Sequence, residues 1–179
     1  MAQAEAKAQA YQDRKTEVEK AAVEYRASEI QKETTEIREK AIEAAKKKKE
    51  EEARKAEEER VAARQEVTDF AVQFVGNPYV WGGTSLTNGA DCSGFTMSVF
   101  AQFGYSLPRT AAAQYEASNK KDISQLETGD LVFYGAGGIN HVALYIGNGK
   151  IVHASGAATG IKISDYNYET PVGIGSYMK

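Results

Sequence analysis

For its first 64 residues the chain contains no glycine and no proline. Tight reversals lean on those two residues, so nothing in this stretch readily turns the backbone back on itself. Ala, Glu, Lys, Arg and Gln dominate it, all strong helix formers, and residues 1–64 are expected to form one long helical arm. At 1.5 Å per residue such a helix reaches roughly 90 Å. It holds 16 Lys/Arg against 16 Asp/Glu and only two aromatics, Tyr11 and Tyr25. Such a stretch cannot bury a core of its own.

Two apolar seams run along the arm at alternating spacings of four and three. One is Ala4, Ala8, Tyr11, Lys15, Val18, Ala22 and Tyr25. The other, on a shifted phase, is Val23, Ala27, Ile30, Thr34, Ile37, Ala41 and Ala44. Ala and Thr are weak at coiled-coil core positions, and the seam dissolves into charge from Lys46 to Arg60. The arm therefore reads as a marginal coiled coil that leans on a helical partner, or as a solvated spacer. Pairs such as Glu36–Lys40, Glu43–Lys47, Glu50–Arg54 and Glu51–Lys55 add a few tenths of a kcal/mol each. The quartet Lys46–Lys49 is followed at once by Glu50–Glu52, which makes it a solvated helix face rather than an anion site.

Residues 65–179 are composed otherwise. They carry all 16 Gly, all three Pro, Trp81 and every Phe, enough for a globular domain with its own core. Their net charge of −3, without a basic stripe, argues against a nucleic-acid partner. No apolar run approaches 18 residues, so no membrane span is expected. The start, Met-Ala-Gln-Ala-Glu-Ala-Lys, lacks the apolar stretch of a secretory signal. That leaves a cytosolic protein or a fragment whose leader is missing. A single cysteine, Cys92, excludes an internal disulfide and a thiolate-cluster metal site.

Val67, Phe70, Ala71, Phe74 and Val75 mark a helix with a core face, stopped at Gly76-Asn77-Pro78. The paired Gly82 and Gly83 allow a tight bend or a close backbone approach. Phe95, Val99, Phe100 and Phe103 give the apolar face of a second helix, ended by Gly104, which puts Cys92 at its N-terminus. A third helical stretch runs over 110–118. From Asp130 the period changes, and 131–134, 141–146, 150–154, 161–166 and 172–177 read as five strands. Helices first and an antiparallel sheet after is an α+β layout.

A nucleophilic cysteine needs positive potential, a base in reach, and a group that fixes the base. Cys92 at a helix start with His141 and His153, the only two histidines, can fill those roles. The hairpin between the histidines tests the idea. A two-residue turn at Asn148-Gly149 puts them on opposite faces of the sheet. A three-residue loop, Gly147–Gly149, puts His153 opposite Ala143 and His141 diagonal to it on the same face. The catalytic reading therefore needs an odd loop or a bulge, with Gly149 in the left-handed region. The same three residues lack any His-Glu-x-x-His or Cys-x-x-Cys spacing, and neither a metal nor another cofactor is expected.

Tyr79-Val80-Trp81-Gly82-Gly83, Asp91-Cys92-Ser93-Gly94-Phe95, Leu107-Pro108-Arg109-Thr110, Gly129-Asp130-Leu131-Val132-Phe133 and His141 to Gly147, with His153-Ala154-Ser155, resemble the NlpC/P60 family of bacterial cell-wall cysteine peptidases. The resemblance covers about residues 66–178. It implies a papain-like domain with N-terminal helices on a sheet of about five strands. The implied activity is thiol hydrolysis of the γ-D-glutamyl to diamino-acid bond in peptidoglycan stem peptides, at the bacterial cell wall outside the cell. By the family pattern Cys92 attacks, His141 is the base, and His153 orients it. Tyr79 falls at the oxyanion or substrate, and Asp91 and Ser93 fall where polar substrate groups bind. Asp91 and Ser93 can also simply cap the helix. Trp81 reads as a core aromatic, Arg109 as the partner of a carboxylate, and Asp130 as a turn residue. Two other functions fit the same residues: a non-catalytic wall-binding or coiled-coil scaffold module, and an acyl transferase on the same Cys-His-His set.

Overall fold

A computed structural model of the chain describes residues 1–178; Lys179, the last residue of the expected 65–179 domain, lies outside them. Helix α1 spans Ala2–Val72 without a break. The chain divides into two compact units, Met1–Lys55 and Ala56–Lys179.

In the first unit every residue is exposed, including the seam positions Val18, Val23, Ile30 and Ile37. Surface ion pairs run along the helix, among them Lys47–Glu43, Lys55–Glu51 and Arg54–Glu51. With no core side chains to bury, the helix here rests on residue propensity and such pairs.

The second unit opens with the last turns of α1. Arg64, Val67, Thr68 and Ala71 are its buried residues, spaced three and four apart. Phe70 and Phe74 are partly buried and meet edge to face at 5.0 Å, while Val75 stays half exposed, because the helix ends at Val72 and three turn bonds follow. Gly76, at φ +94°, donates its N–H to the Ile161 carbonyl. A short ribbon follows, β1 (Thr84–Ser85) with β2 (Gly89–Ala90). Then come α2 (Cys92–Ala101) and α3 (Ala111–Ala117).

Six antiparallel strands make the main sheet: β3 (Asn119–Lys121), β4 (Leu131–Tyr134), β5 (His141–Gly147), β6 (Lys150–Gly156), β7 (Gly160–Asp165) and β8 (Gly173–Ser176). Their order is β3-β8-β4-β5-β6-β7. The five expected strands are β4 to β8. The sixth, β3, is an edge strand of Asn and Lys, with no apolar residue to announce it. Phe95, Val99 and Phe100 of α2 join Leu131, Phe133, Val142, Leu144, Val152 and Ala154 in the main core. Alternation sends Val132, Tyr134, Ala143 and Ile151 to a second cluster on the other face.

Asp130 is more than a turn residue. Its buried carboxylate pairs with Arg64 at 2.9 Å and Lys121 at 2.7 Å, and Arg64 also donates to Thr128, Ser176 and Met178. These bonds tie the end of α1 to the start of β4 and the tail of the chain.

Candidate active site

The site begins with the cap of α2. Asp91 sits at the N-cap in extended conformation, and its Oδ1 accepts the Gly94 N–H at 2.8 Å. Cys92 is therefore the first residue of the helix. Its own N–H and that of Ser93 face the sulfur, as does the N–H of Val142 across the gap. The sulfur also lies 3.9 Å from the Asn140 carbonyl oxygen, so it stands beside the start of β5, where His141 begins the strand.

The loop ahead of α2 is packed to hold that position. Gly82, at φ +76°, makes the bend, and a Cβ on Gly83 would strike the Gly89 carbonyl oxygen. Asp91 donates its N–H to Gly83, and a Cβ on Gly94 would strike that same Gly83 carbonyl. Both expectations for the glycine pair are met, one at each residue.

The hairpin question resolves in favour of a bulge. Gly147 pairs with Lys150 around a two-residue turn, in which Asn148 has φ +52° and Gly149 φ +73°. Positive φ at both positions is the twist-matched hairpin turn. One residue further on, Tyr145 pairs with Ile151 and Leu144 with Val152, leaving Ile146 as the extra residue. The three-residue loop is thus absent, but the bulge restores the register it would have given. His153 falls opposite Ala143, and both histidines project on one face.

They are joined there. His141 Nε2 and His153 Nδ1 lie 2.7 Å apart, and His153 Nε2 lies 3.0 Å from Ser164 Oγ on β7. Two tyrosines close the group: Tyr134 is 6.0 Å from the His141 ring, Tyr168 is 5.4 Å from the His153 ring, and the tyrosines are 5.1 Å from each other. His153 is 1% exposed and Tyr168 48% exposed.

Burial governs the titration. It lowers His141 to about 4 and, with the nearby His141 and Lys162 charges, His153 to about 3. Burial also pushes the Cys92 thiol up; the three facing amides oppose this without offsetting it, and the Asp91 charge adds to it. The lowered thiol pKa expected from a helix N-terminus is not met, because desolvation outweighs the helix end. Cys92 and His141 consequently stand as thiol and neutral imidazole at neutral pH.

Next to Cys92 lies a cavity of about 430 Å³, lined by Tyr79, Trp81, Asp91, Ser93, Arg109, Ile139 and Asn140 among others. Arg109 grips Asp91 with both terminal nitrogens, at 2.9 and 2.6 Å. Arg109 Nη1 also donates to Ser93 Oγ at 3.1 Å, and that hydroxyl lies 3.3 Å from Asp91 Oδ1. The Gly82 N–H takes Asp91 Oδ2. Burial would raise the Asp91 pKa, but Arg109 and the Gly94 and Gly82 amides outweigh it and hold the carboxyl below its usual range. Asp91 is therefore fully engaged in shaping the helix start. Burial raises the Tyr79 phenol, with Cys92 and Asp91 adding to it, so it remains a hydrogen-bond donor.

Trp81 departs from expectation. It is 87% exposed, on the turn that Gly82 makes, at the rim of the cavity rather than in the core. Sequence reasoning paired Arg109 with a carboxylate but missed Ser164 and Tyr168. Ser164 faces Ile151, two pairs along from Lys162, the residue opposite His153, so the diagonal rule finds it once the β6–β7 register is known. Tyr168 lies in the loop after β7, where no pattern points to it.

A cysteine opening a helix that packs on an antiparallel sheet, with two bonded histidines on neighbouring strands, defines the papain-like class. The model of the NlpC/P60 family matches residues 76–172, more than half of the chain, and the chain belongs to that family. The probable endopeptidase p60 of Listeria innocua is 49% identical over 85 residues, 47% of this chain and 18% of that protein. The gamma-D-glutamyl-L-lysine dipeptidyl-peptidase of Bacillus subtilis is 40% identical over 103 residues, 55% of this chain and 34% of that protein. The chain thus spans about a third or less of either relative. Among solved structures, the peptidoglycan hydrolase RipB of Mycobacterium tuberculosis superposes with a TM-score of 0.61 at 34% identity, covering 67% of each chain. Among the described residues no helix is long and apolar enough to cross a membrane.

Proposed function

We propose that the chain is a peptidoglycan hydrolase acting at the bacterial cell wall, a thiol endopeptidase that cuts the γ-D-glutamyl to diamino-acid bond of stem peptides through an acyl-enzyme on Cys92. The observation that carries this reading is the 2.7 Å contact of His141 Nε2 with His153 Nδ1, beside a helix-borne cysteine. It leaves His141 Nδ1 as the ring nitrogen free to serve Cys92. The relatives named for peptidoglycan and for γ-D-glutamyl-L-lysine cleavage supply the substrate class.

In this mechanism the Cys92 thiol passes its proton to His141 as the sulfur attacks the γ-glutamyl carbonyl carbon. The oxyanion takes the Cys92 N–H, which has no partner inside the helix, and the Tyr79 hydroxyl. His141 returns the proton to the departing amine, leaving a thioester. Water, deprotonated by His141, then releases the glutamyl fragment and the free thiol. A γ-linked glutamate keeps a free α-carboxylate, and Arg109 is the cation in the cavity. Asp91 and Ser93 serve that site mainly by holding Arg109 and the helix start.

Mass analysis of digested peptidoglycan fragments tests the reading. A new cut between glutamate and the diamino acid, absent with Cys92→Ala, supports it. Intact fragments with the full chain and with residues 65–179 alone would leave a wall-binding module as the better reading.

A further inference from the structure

We infer that Ser164 is a positioning residue of this site: its hydroxyl oxygen is the terminal acceptor that lets His141 take a proton from Cys92. The inference rests on the proposed peptidase reading, and it concerns a residue that the Cys92, His141 and His153 set does not include.

A neutral imidazole has one N–H donor and one bare nitrogen. Two arrangements fit the contact between the rings. In the productive one, His141 donates from Nε2 and keeps Nδ1 bare for the thiol proton. His153 then accepts at Nδ1, so its own proton is on Nε2, aimed at Ser164 Oγ 3.0 Å away. In the other, His153 donates from Nδ1, and His141 carries its proton on Nδ1 and cannot act as a base.

A serine hydroxyl can meet either arrangement at rest, as donor or acceptor. Once His141 is protonated it cannot. Imidazolium donates from both nitrogens, His153 must accept at Nδ1, and its Nε2–H must be received by something. His153 is 1% exposed, which bars water from that role. The charges that act on it are those of His141 and Lys162, both cationic when charged, so no carboxylate stands in. Tyr134 flanks the His141 ring and Tyr168 covers the His153 ring. Among the described residues, Ser164 Oγ alone is bonded to His153 Nε2. Removing it leaves a buried N–H without a partner in the protonated state and favours the unproductive tautomer at rest. An unsatisfied buried donor slows the step by on the order of tenfold or more.

The test uses the full chain and has two arms. The first needs no turnover. With only two histidines, ring 15N spectra contain two sets of signals, separable with a His141→Gln variant. The wild type is expected to show both rings protonated on Nε2, and Ser164→Ala is expected to move His153 toward Nδ1. A wild-type His153 protonated on Nδ1, or a Ser164→Ala spectrum identical to wild type, overturns the inference. The second arm measures kcat and KM for stem-peptide cleavage. Ser164→Ala should lower kcat about tenfold with KM unchanged, Ser164→Thr should restore it, and Ser164→Asp, which can only accept, should outperform Ser164→Ala. If Ser164, itself only partly buried, merely fills space beside His153, the larger carboxylate does no better than alanine, and that order overturns the inference. Absence of turnover in the wild type would count against the peptidase reading alone, since the spectra still decide the role of Ser164.

Discussion

Asp91 and Arg109 meet through two hydrogen bonds, Nη1 to Oδ1 at 2.9 Å and Nη2 to Oδ2 at 2.6 Å. Asp91 Oδ1 also caps the helix that Cys92 begins. One carboxylate thus fixes both the cation of the cavity and the residue that bears the thiol. Asp91→Ala removes the cap and strands a guanidinium that is still able to reach water. A loss of about 2–3 kcal/mol is expected, with the pair discounted for the partly exposed Arg109. Urea denaturation measures it, and a loss under about 0.5 kcal/mol would show that the pair is ornamental.

Gly94 admits no side chain, because a Cβ there meets the Gly83 carbonyl oxygen, the acceptor of the Asp91 N–H. Gly94→Ala must push the start of α2 away from that loop, at about 1–3 kcal/mol. The displaced helix start carries the sulfur with it. Peptidase activity should fall further than stability does, which paired melting and rate measurements would reveal.

The histidines make the protein sensitive to acid in a definite direction. Burial lowers His141 to about 4 and His153 to about 3, whereas the unfolded chain titrates near 6.5. Below 6.5 the unfolded state binds protons that the native state refuses, so their stabilising contribution is full above 6.5 and is lost as pH falls toward 4. Carboxylates contribute only below about pH 5, so the window from 6.5 to 5 belongs to the histidines. Denaturation at pH 7.0, 6.0 and 5.0 should show a steady decline, flattened when both histidines are replaced by glutamine. The acid limb of kcat/KM should likewise lie well below 6.5, and a limb at or above 6.5 would contradict a buried neutral base.

Tyr168 is the half-exposed member of the four-ring group and lies 5.4 Å from the His153 ring. Tyr168→Ala opens that ring to water and lifts the desolvation that keeps it neutral. The acid limb should move up by about one unit or less, toward the ordinary imidazole value, while Tyr168→Phe leaves it in place. Parallel pH–rate profiles of the two variants decide this.

The parts of the fold written in periodic apolar residues were legible. Phe95, Val99 and Phe100 announced α2 and so placed Cys92 at a helix start, and the β-branched runs after Asp130 announced five strands. Edge strand β3 was not, because Asn119, Lys120 and Lys121 gain nothing from burial. The hairpin shows how far local reasoning carries. Opposite-face and same-face registers could both be drawn, and the bulge at Ile146 was foreseen as a requirement but not as a position. Trp81 reads as a core residue because large aromatics usually bury, whereas its neighbour Gly82 turns this one outward. Ser164 was invisible for a different reason: its partner is set by the β6–β7 register, which no local pattern encodes.

The most direct test of the central claim is to trap the acyl-enzyme. The full chain is mixed with a defined stem-peptide fragment, quenched in acid within the first turnover, and read by intact and peptide mass. An adduct equal to the glutamyl-terminated fragment, confined to the peptide containing Cys92 and missing in Cys92→Ala, is the predicted result. Cleavage that proceeds equally well in Cys92→Ala would contradict it.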